Sequence, residues 1–197
     1  MRIFPRLYDL VMARAERGRV GRWRHTMVAP AQGRVLEIGA GTGLDFPHYR
    51  ADAWVVATDP DMAMLERARA RAREARARIE LVVADAEALP FDDAAFGAGV
   101  VALAMCTIPH PERALGELRR VLRPGGALRM LEHVRVDHPA FVGRLQDWIT
   151  PVWRRVAGGC YLNRRTVDAV RGAGFELTAV TSYSGGYVRE IVARRSR

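Results

Sequence analysis

The sequence contains no lysine and only two cysteines. All 31 of its lysine or arginine positions among 197 residues are therefore arginines. Without lysine the chain cannot form a Schiff base with a carbonyl substrate or anchor pyridoxal phosphate, and it has no GK[ST] phosphate-binding loop. Cys106 and Cys160 are too few for a disulfide framework, which favours a reducing compartment and predicts a cytoplasmic location.

Long apolar runs are also missing. No N-terminal stretch has the apolar core of a signal peptide, and no run approaches the roughly 20 residues of a membrane span. Hydrophobic residues make up 49% of the chain and charged residues 27%, as in ordinary globular proteins. The length fits one domain, which we predict to span residues 1–197.

The excess of positive charge permits two interpretations. The formal net charge is +9, and a basic surface can bind nucleic acids or anionic membranes. Arginine, alanine and glycine are also the residues that a GC-rich genome overuses. Six arginines lie in residues 66–78, which predict a helix with a solvated face. Seven more lie in residues 1–24, where a basic amphipathic helix is expected to contact an anionic membrane peripherally.

Strands alternate with helices along most of the chain. Short apolar runs predict strands at 34–38, 53–58, 79–84, 98–105 and 127–134, and a closing hairpin at 175–182 and 187–193. Helices are predicted at 62–78, 111–122 and 163–173, with an N-terminal helical cap at 1–30 and a helical insert at 137–160. This alternation predicts an α/β fold with a mainly parallel sheet.

A glycine-rich turn follows the first strand. Gly39, Gly41 and Gly43 allow the backbone to turn tightly and to approach a ligand closely. Asp59 ends the next strand, where nucleotide-binding sheets place a carboxylate that accepts hydrogen bonds from ribose hydroxyls. The spacing is GxGxG, unlike the GxGxxG of dinucleotide sites. Glu37 before the glycines would repel a pyrophosphate but suits a ligand that carries an ammonium group.

These motifs resemble the class I S-adenosylmethionine (SAM)-dependent methyltransferases, in particular those with a type 11, ubiquinone/menaquinone C-methyltransferase-like core. The resemblance covers residues 33–135: a glycine motif at 37–43, an adenine-binding DAxxLPF motif at 84–91 and an RPGG turn at 122–126. It implies SAM as the cofactor and S-adenosylhomocysteine as its product. The implied fold is Rossmann-like, with a seven-stranded, mostly parallel sheet of order 3-2-1-4-5-7-6 and helices on both faces.

The resemblance also implies the cofactor-binding residues. They are Tyr8, Glu37, Gly39, Ala40, Gly41, Gly43, Asp59, Pro60, Met64, Asp85, Ala86, Glu87, Ala102 and Leu103. The alternative for Asp59 and Asp85 is that they only cap the helices that follow. Strand four departs from the family pattern, because Gly97 stands where the family often has an aspartate.

The second half resembles the animal alkyl-thiol S-methyltransferases and bacterial relatives, some labelled phospholipid N-methyltransferases. The matching segments are LEHV at 131–134, QDWITPVW at 146–153 and GCYLNR at 159–164. The animal members carry an N-terminal membrane anchor, and none is expected in this chain. We expect Trp148, Trp153, Cys160 and Tyr161 to line an apolar acceptor pocket. The alternative is an aromatic stripe that simply packs on the sheet.

His133 follows the fifth strand, at the sheet edge where such folds react. Its ordinary pKa of about 6.5 suits a general base for a thiol or phenol, and a purely structural histidine is the alternative. No Cys, His and carboxylate cluster has metal-ligand spacing, so no metal site is predicted. Because methyl transfer mainly requires proximity and orientation, these motifs do not identify the acceptor.

The sequence therefore predicts a SAM-dependent methyltransferase with a small, partly apolar acceptor: a thiol, a lipid amine or a quinone-like ring. The alternative is a nucleic-acid methyltransferase or RNA-binding protein that uses the basic surface. Residues 103–106 (LAMC) lack a base-methylation motif after strand four, which makes nucleic acid the weaker hypothesis. No obligate protein partner is expected.

Overall fold

The computed structural model describes residues 18–197, in which seven strands form one sheet. The strands are β1 (Gly33–Ile38), β2 (Ala53–Asp59), β3 (Arg78–Val83), β4 (Phe96–Ala102), β5 (Leu122–His133), β6 (Phe175–Tyr183) and β7 (Val188–Arg195). The helices are α1 (Arg19–Val28), α2 (Met62–Glu74), α3 (Pro111–Val121), α4 (Ala140–Val156) and α5 (Thr166–Gly172). Short 3₁₀ turns lie at Phe46–His48 and Ser184–Gly186.

The sheet order is β3-β2-β1-β4-β5-β7-β6, as predicted. Strands β1 to β5 pair in parallel, whereas β7 runs antiparallel to both β5 and β6. Residues such as Val35 and Leu36 of β1 are fully buried, because helices cover both faces of the sheet. The carboxyl ends of the parallel strands therefore meet at one edge.

Two apolar clusters fill the space between the sheet and its helices. On one face, Leu115 and Leu118 of α3 pack with Val170 of α5 and with sheet residues. On the other face, Met27 of α1 and Ala68 of α2 belong to the second cluster. The predicted helices on both faces are thus confirmed for the described part of the chain.

Helix α1 is further attached to the sheet by two polar or aromatic contacts. The Trp23 ring stacks on Tyr183 of β6, with ring centroids 4.6 Å apart and an angle of 12° between planes. Arg129 of β5 donates a hydrogen bond through Nε to the carbonyl oxygen of Met27 at 2.7 Å. The predicted cap of residues 1–30 is described only from residue 18 onward, so Tyr8 lies outside the described residues.

Two strand boundaries differ from the prediction by three residues or more, and the others by one or two or not at all. Strand β4 ends at Ala102, because Leu103 has a φ of 55° that interrupts extended backbone. Strand β5 begins at Leu122 and so includes the RPGG segment predicted as a turn. A register shift between Phe96 and Ala98 of β4 accommodates that segment.

Helix α4 places polar side chains inward and apolar ones outward. Gln146 and Thr150 are buried, as is Gly143. Trp148 is 79% exposed and does not pack on the sheet. The prediction that it lines an acceptor pocket is therefore wrong. Among residues 18–197, no helix combines the length and apolar character needed to cross a bilayer.

Candidate active site

The carboxyl ends of the central strands border a cavity of about 880 Å³. Its volume lies in the upper part of the usual range for small-molecule sites, about 300–1,000 Å³. Residues from β1, β2, β4, β5, α1 and α4 contribute to its wall. The predicted cofactor and acceptor segments therefore meet at one place.

The glycine turn after β1 requires glycine for steric reasons. Gly39, Gly41 and Gly43 have φ values of 66°, 56° and 81°, which residues other than glycine rarely adopt. A Cβ at Gly39 would lie 2.3 Å from the Cβ of Ala104. At Gly43, a Cβ would lie 2.5 Å from the Phe46 ring. Gly39 and Gly41 line the cavity, whereas Gly43 does not.

Asp59 connects the glycine turn to the start of α2. Its Oδ2 accepts a hydrogen bond from the backbone N–H of Gly41 at 2.9 Å, and its Oδ1 accepts one from Asp61 at 2.9 Å. Asp61 is the residue that caps α2, by accepting the N–H of Ala63 at 2.8 Å. Burial raises the pKa of Asp59. Asp59 is therefore a cavity carboxylate rather than a helix cap.

Glu37 lies beneath the glycine turn and does not line the cavity. Tyr49 donates a hydrogen bond from its hydroxyl to Oε2 of Glu37 at 2.8 Å. Oε1 of Glu37 is buried without a hydrogen-bond partner among the described residues. Burial and the nearby Asp45 carboxylate raise the pKa of Glu37. Asp45 itself lines the cavity and pairs with the buried Arg24 at 2.8 Å.

The loop after β3 forms the wall opposite the glycine turn. Asp85, Ala86 and Glu87 all line the cavity. Asp85 accepts the backbone N–H of Glu87 at 2.9 Å through Oδ1. The Glu87 carboxylate accepts the N–H of His110 at 2.9 Å, which links this loop to the start of α3.

The far end of the cavity contains two cysteines and a histidine. The sulfurs of Cys106 and Cys160 lie 3.4 Å apart, and the nearest ligand atom of His133 lies within 4.8 Å of both. The contact between the sulfurs lowers the pKa of Cys160 to about 5 and raises that of Cys106. Burial lowers the pKa of His133, but the contact and charge of Cys160 and the charge of Glu132 together outweigh burial, so the net shift is upward.

Glu132 organises the backbone beside this cluster. It is fully buried and accepts hydrogen bonds from the N–H groups of Ala104, Met105 and Cys106, at 2.9–3.2 Å. Burial raises its pKa to about 7 although these three donors favour the carboxylate. Glu132 thereby fixes the loop after β4, on which Cys106 lies.

The structure brings together most of the predicted site residues. Those on the cavity wall are Gly39, Ala40, Gly41, Asp59, Pro60, Met64, Asp85, Ala86, Glu87, Ala102, Leu103, His133, Trp153 and Cys160. Glu37, Gly43, Trp148 and Tyr161 lie elsewhere. The Tyr161 ring instead contacts the guanidinium groups of Arg154 and Arg164, at 3.9 and 4.3 Å.

Several functional candidates were missed by reasoning from the sequence. Cys106, Asp45 and Arg24 line the cavity, and Glu132 lies directly behind it. Cys106 and Glu132 stand near motif residues that the sequence analysis noted, but their separation along the chain hides their contact. The proximity of Arg24 to Asp45 also depends on how α1 packs on the sheet.

Comparison with known proteins identifies the domain. Residues 36–130 match the type 11 methyltransferase domain family. Thiol S-methyltransferase TMT1B of Homo sapiens is 30% identical over 150 residues, which cover 74% of this chain and 62% of that protein. Demethylmenaquinone methyltransferase of Renibacterium salmoninarum is 37% identical over 141 residues, 68% of this chain and 56% of that protein. The chain thus spans about three fifths of these relatives' length.

Solved structures show the same fold. A SAM-dependent methyltransferase from Thermotoga maritima has a TM-score of 0.69 at 23% identity, covering 99% of this chain and 97% of its own. One from Mesorhizobium loti has a TM-score of 0.68 at 17% identity, covering 90% and 99%. Fold and site together define a Rossmann-like methyltransferase class. Residues 36–130 form a type 11 methyltransferase domain, and the chain has the fold of solved SAM-dependent methyltransferases.

Family membership implies SAM as the cofactor, and the cavity fits that molecule. At Gly41, which lines the cavity, a Cβ would meet only the carbonyl oxygen of Gly39, at 4.0 Å, so the turn is open at this position. Asp59 presents a carboxylate at the position of a ribose ligand, and Asp85 to Glu87 lie where the adenine is expected. Asp45 also lines the cavity, where its charge is paired with that of Arg24.

Proposed function

We propose that this chain transfers the methyl group of SAM to the sulfur of a small, partly apolar thiol. The observation that carries the proposal is the composition of the far end of the cavity. There Ile108, Trp153 and Val156 provide apolar surface beside Cys106 and Cys160. The relatives named for thiol S-methylation support the same acceptor class.

The cofactor would be held mainly by the residues already described at the near end. Asp59 would accept hydrogen bonds from its ribose, and the turn at Gly39 and Gly41 would approach its amino-acid part. Asp85 and Ala86 would contact the adenine. When bound, SAM supplies a methyl group already activated by its sulfonium charge.

The remaining task of the protein is to orient the acceptor and exclude water. Trp153, Val156 and Ile108 cover the far end with apolar side chains. His133 lines the same end of the cavity, and its buried Nδ1 has no hydrogen-bond partner among the described residues. The loop that carries Cys106 is fixed by Glu132.

A thiol fits this end better than a lipid amine. Amines are cationic at neutral pH and need a counter-charge when they leave water. The described carboxylates of the cavity wall lie toward the cofactor end, and none belongs to the segment from Leu131 to Cys160. A quinone-like ring is the second candidate, because the apolar wall also suits it and a demethylmenaquinone methyltransferase is among the relatives.

Parallel turnover assays test the acceptor. The full chain is incubated with SAM and one of three acceptors: an alkyl thiol, phosphatidylethanolamine vesicles or a quinol. Mass spectrometry then measures the methylated product and S-adenosylhomocysteine. We expect a methyl thioether from the thiol, and its loss in Asp59→Ala but not in the surface control Asp52→Ala. Methylation of the amine or the quinol in place of the thiol contradicts the proposal, as does cofactor binding without any product.

Location and partners extend this proposal. We infer a cytoplasmic protein that contacts anionic membranes peripherally through residues 1–24 and requires no obligate protein partner. Arg24 takes no part in such contact, because it is buried and paired with Asp45. The nucleic-acid alternative finds no support in the relatives described above.

A further inference from the structure

Three metal-binding side chains meet at the far end of the cavity. Cys106 lies in the loop after β4, His133 ends β5, and Cys160 follows α4. One ligand atom from each lies within 4.8 Å of the other two. We propose that these residues bind a thiophilic divalent metal ion, for which Zn²⁺ is the probe, and leave a fourth ligand position open.

The separation of the two sulfurs is close to that of a tetrahedral zinc site. Zinc lies about 2.3 Å from cysteine sulfur and about 2.0 Å from histidine nitrogen, which in a tetrahedron puts two sulfurs about 3.8 Å apart. The sulfurs of Cys106 and Cys160 are 3.4 Å apart. The sulfur pair thus needs a shift of only a few tenths of an ångström, and the nearest ligand atom of His133 lies within 4.8 Å of both sulfurs.

Hydrogen bonds already hold the three ligands in place. The N–H of Tyr161 donates to the carbonyl oxygen of Cys106 at 2.8 Å, which joins the two cysteine loops. Cys160 donates its own N–H to Ala157 at 3.1 Å. Glu132 accepts the N–H of Cys106 at 3.2 Å and precedes His133 in the chain. A site assembled before the ion arrives loses less entropy on binding.

The open position faces the cavity that holds the cofactor. All three ligands are on the cavity wall, and three protein ligands with one free position are typical of catalytic zinc. The ion binds both cysteines as thiolates, so a proton still held on either sulfur passes to solvent. His133 is then a ligand rather than the general base predicted from the sequence.

An acceptor thiol suits the fourth position, a step that rests on the function proposed above. Its S–H bond breaks, the proton passes to solvent, and a zinc–sulfur bond forms. The acceptor sulfur is thereby deprotonated and oriented within the cavity. Soft thiolate ligands suit zinc, whereas an amine or a quinol gains less from the same ion.

Metal titration of the full chain tests the site without measuring activity. The protein is freed of metal with a chelator under reducing conditions, and Zn²⁺ is added in competition with a chromophoric chelator. We expect one ion per chain, with at least 100-fold weaker binding in the double variant Cys106→Ser/Cys160→Ser. His138→Asn, which changes a histidine outside the cluster, is the matched control and keeps the wild-type affinity.

Cobalt provides a measurement that needs no variant. Co²⁺ added to the metal-free wild-type chain should give thiolate charge-transfer absorption and the visible bands of a tetrahedral ion. Wild-type affinity no higher than that of the double variant overturns the proposal, and so does cobalt absorption without a thiolate band. A Cys106–Cys160 disulfide in place of bound metal, detected in protein purified without reductant, also overturns it.

The experiments distinguish a failure of the metal proposal from a failure of the thiol proposal. Zinc binding without methylation of any thiol removes the acceptor and keeps the metal site. Thiol methylation that is undiminished in metal-free protein removes the proposed role of the ion in holding the acceptor, whatever its affinity.

A second inference comes from the outward face of α4. Phe141, Leu145, Trp148, Val152 and Val156 follow one another at intervals of three or four residues, so they share one face of the helix. Each is between 47% and 79% exposed. Such a continuous apolar row on a soluble surface is typical of an interaction site.

The charges beside this row identify the partner. Arg144, Arg154 and Arg155 are exposed on the same helix. Its single acid, Asp147, is already paired with Arg135 and accepts a hydrogen bond from Asn163. Apolar and aromatic residues flanked by arginine fit an anionic lipid surface. We infer that the outward face of α4 docks on such a surface.

The position of α4 connects this docking to the cavity. Val156 belongs to the exposed row and to the cavity wall, and Trp153 of the same helix also lines the cavity. A lipid surface against α4 would therefore lie at the edge of the acceptor end. An apolar acceptor dissolved in the bilayer has a short path to it.

Vesicle co-sedimentation tests the surface. The full chain is mixed with vesicles of phosphatidylcholine alone or with phosphatidylglycerol added. We expect sedimentation with the anionic vesicles, and at least a tenfold lower bound fraction for Trp148→Glu/Val152→Glu. The control Val180→Glu changes an exposed valine of β6 and should bind as wild type.

Three results overturn the inference. The first is absence of binding to anionic vesicles. The second is unchanged binding of the α4 variant together with loss of binding in Arg2→Glu/Arg6→Glu, which assigns the contact to residues 1–24. The third is concentration-dependent dimerisation that the α4 variant abolishes without any vesicle binding, which assigns the face to a second copy of the chain.

Discussion

At the scale of single residues, Asp59 has the most sharply defined environment. Its two oxygens hold the N–H groups of Gly41 and Asp61, and it lies on the cavity wall. Asp59→Ala removes both contacts and the ribose acceptor. Hydrogen bonds to a charged group contribute about 1.5–3 kcal/mol, so we expect at least a tenfold weaker affinity for S-adenosylhomocysteine. Isothermal titration calorimetry measures it.

A surface aspartate supplies the control for this substitution. Asp52 is exposed and pairs with Arg50 at 3.3 Å, away from the cavity. Asp52→Ala should leave the affinity within about a factor of two, as exposed ion pairs contribute little. Equal affinities of Asp59→Ala and the wild-type chain would remove Asp59 from the cofactor site.

Site residues could be predicted from the sequence where they belong to one short motif, and could not where they come from distant parts of the chain. Gly39, Gly41 and Asp59 belong to short motifs whose spacing already indicates a nucleotide site. The cluster of Cys106, His133 and Cys160 was not predictable from spacing, because its members come from three separate loops or strand ends. Only the parallel pairing of β4 with β5 and the return of the chain after α4 bring them together.

At the scale of elements, Gln146 is the main polar anchor of α4. It accepts the N–H of Val136 at 2.8 Å and donates to the carbonyl oxygens of Val134 and Leu162, at 3.0 and 2.9 Å. Gln146→Leu leaves these buried groups without partners, at about 1–3 kcal/mol. We expect amide hydrogen exchange across Ala140–Val156 to become at least tenfold faster.

The adjacent residue gives a matched comparison. Leu145 is exposed, so Leu145→Gln should leave exchange in α4 close to wild type. Faster exchange in Leu145→Gln than in Gln146→Leu would mean that the apolar face, rather than the polar one, holds the helix.

Glu117 of helix α3 holds the loop after β3, and its contribution to the stability of the protein depends on pH. Glu117 accepts the N–H of Leu89 at 2.8 Å and pairs with Arg120, and that pairing lowers the pKa of Glu117. A pKa lowered by folding stabilises the protein above the unfolded value, about 4.3, and this contribution disappears as the pH falls through the folded value.

The variant Glu117→Gln tests this pH dependence. Urea unfolding should show a stability difference between wild type and variant that is present at pH 7 and shrinks on acidification below about pH 4.3. Glu80→Gln, which alters an exposed carboxylate of β3, gives the background. A difference that grows on acidification would contradict the assignment.

Apolar periodicity located the elements well but not their ends or their facing. Strand β4 stops where Leu103 adopts a positive φ, a conformation that apolar character does not reveal. In α4 the periodicity is real, but its apolar side faces solvent. Period alone defines a face, and it does not say whether protein, lipid or water covers it.

At the scale of the whole molecule, cofactor binding should be visible as stability. A ligand at 100 times its dissociation constant adds about 2.7 kcal/mol. For a chain of this size each kcal/mol raises the melting temperature by about 2–4 °C. We therefore expect saturating S-adenosylhomocysteine to raise it by roughly 5–10 °C in a thermal shift assay.

A dinucleotide serves as the contrasting ligand. NAD should leave the melting temperature unchanged, because the GxGxG spacing of the glycine turn differs from the GxGxxG of dinucleotide sites. A shift with NAD equal to that with S-adenosylhomocysteine would contradict the assignment of the cofactor.

The overall topology could be predicted because the order of the motifs along the chain is typical of one sheet topology. Whether the positive charges lie on the surface or in the interior could not be predicted. The sheet order followed from the resemblance carried by the glycine motif, Asp59, the DAxxLPF motif and the RPGG segment. The surroundings of individual arginines could be known only from the structure. Arg24 is buried against Asp45, and Arg129 donates a hydrogen bond to the carbonyl oxygen of Met27. Part of the positive charge is thus internal and unavailable to any partner.

The stack of Trp23 on Tyr183 makes the protein its own fluorescence reporter. Trp23 also lines the cavity, so a ligand that enters changes the surroundings of this indole and alters its emission. Trp148, on the outward face of α4, meets a different medium and shifts its emission only when lipid replaces water. Cofactor arrival and surface docking therefore give two optical signals, separable by replacing either tryptophan with phenylalanine.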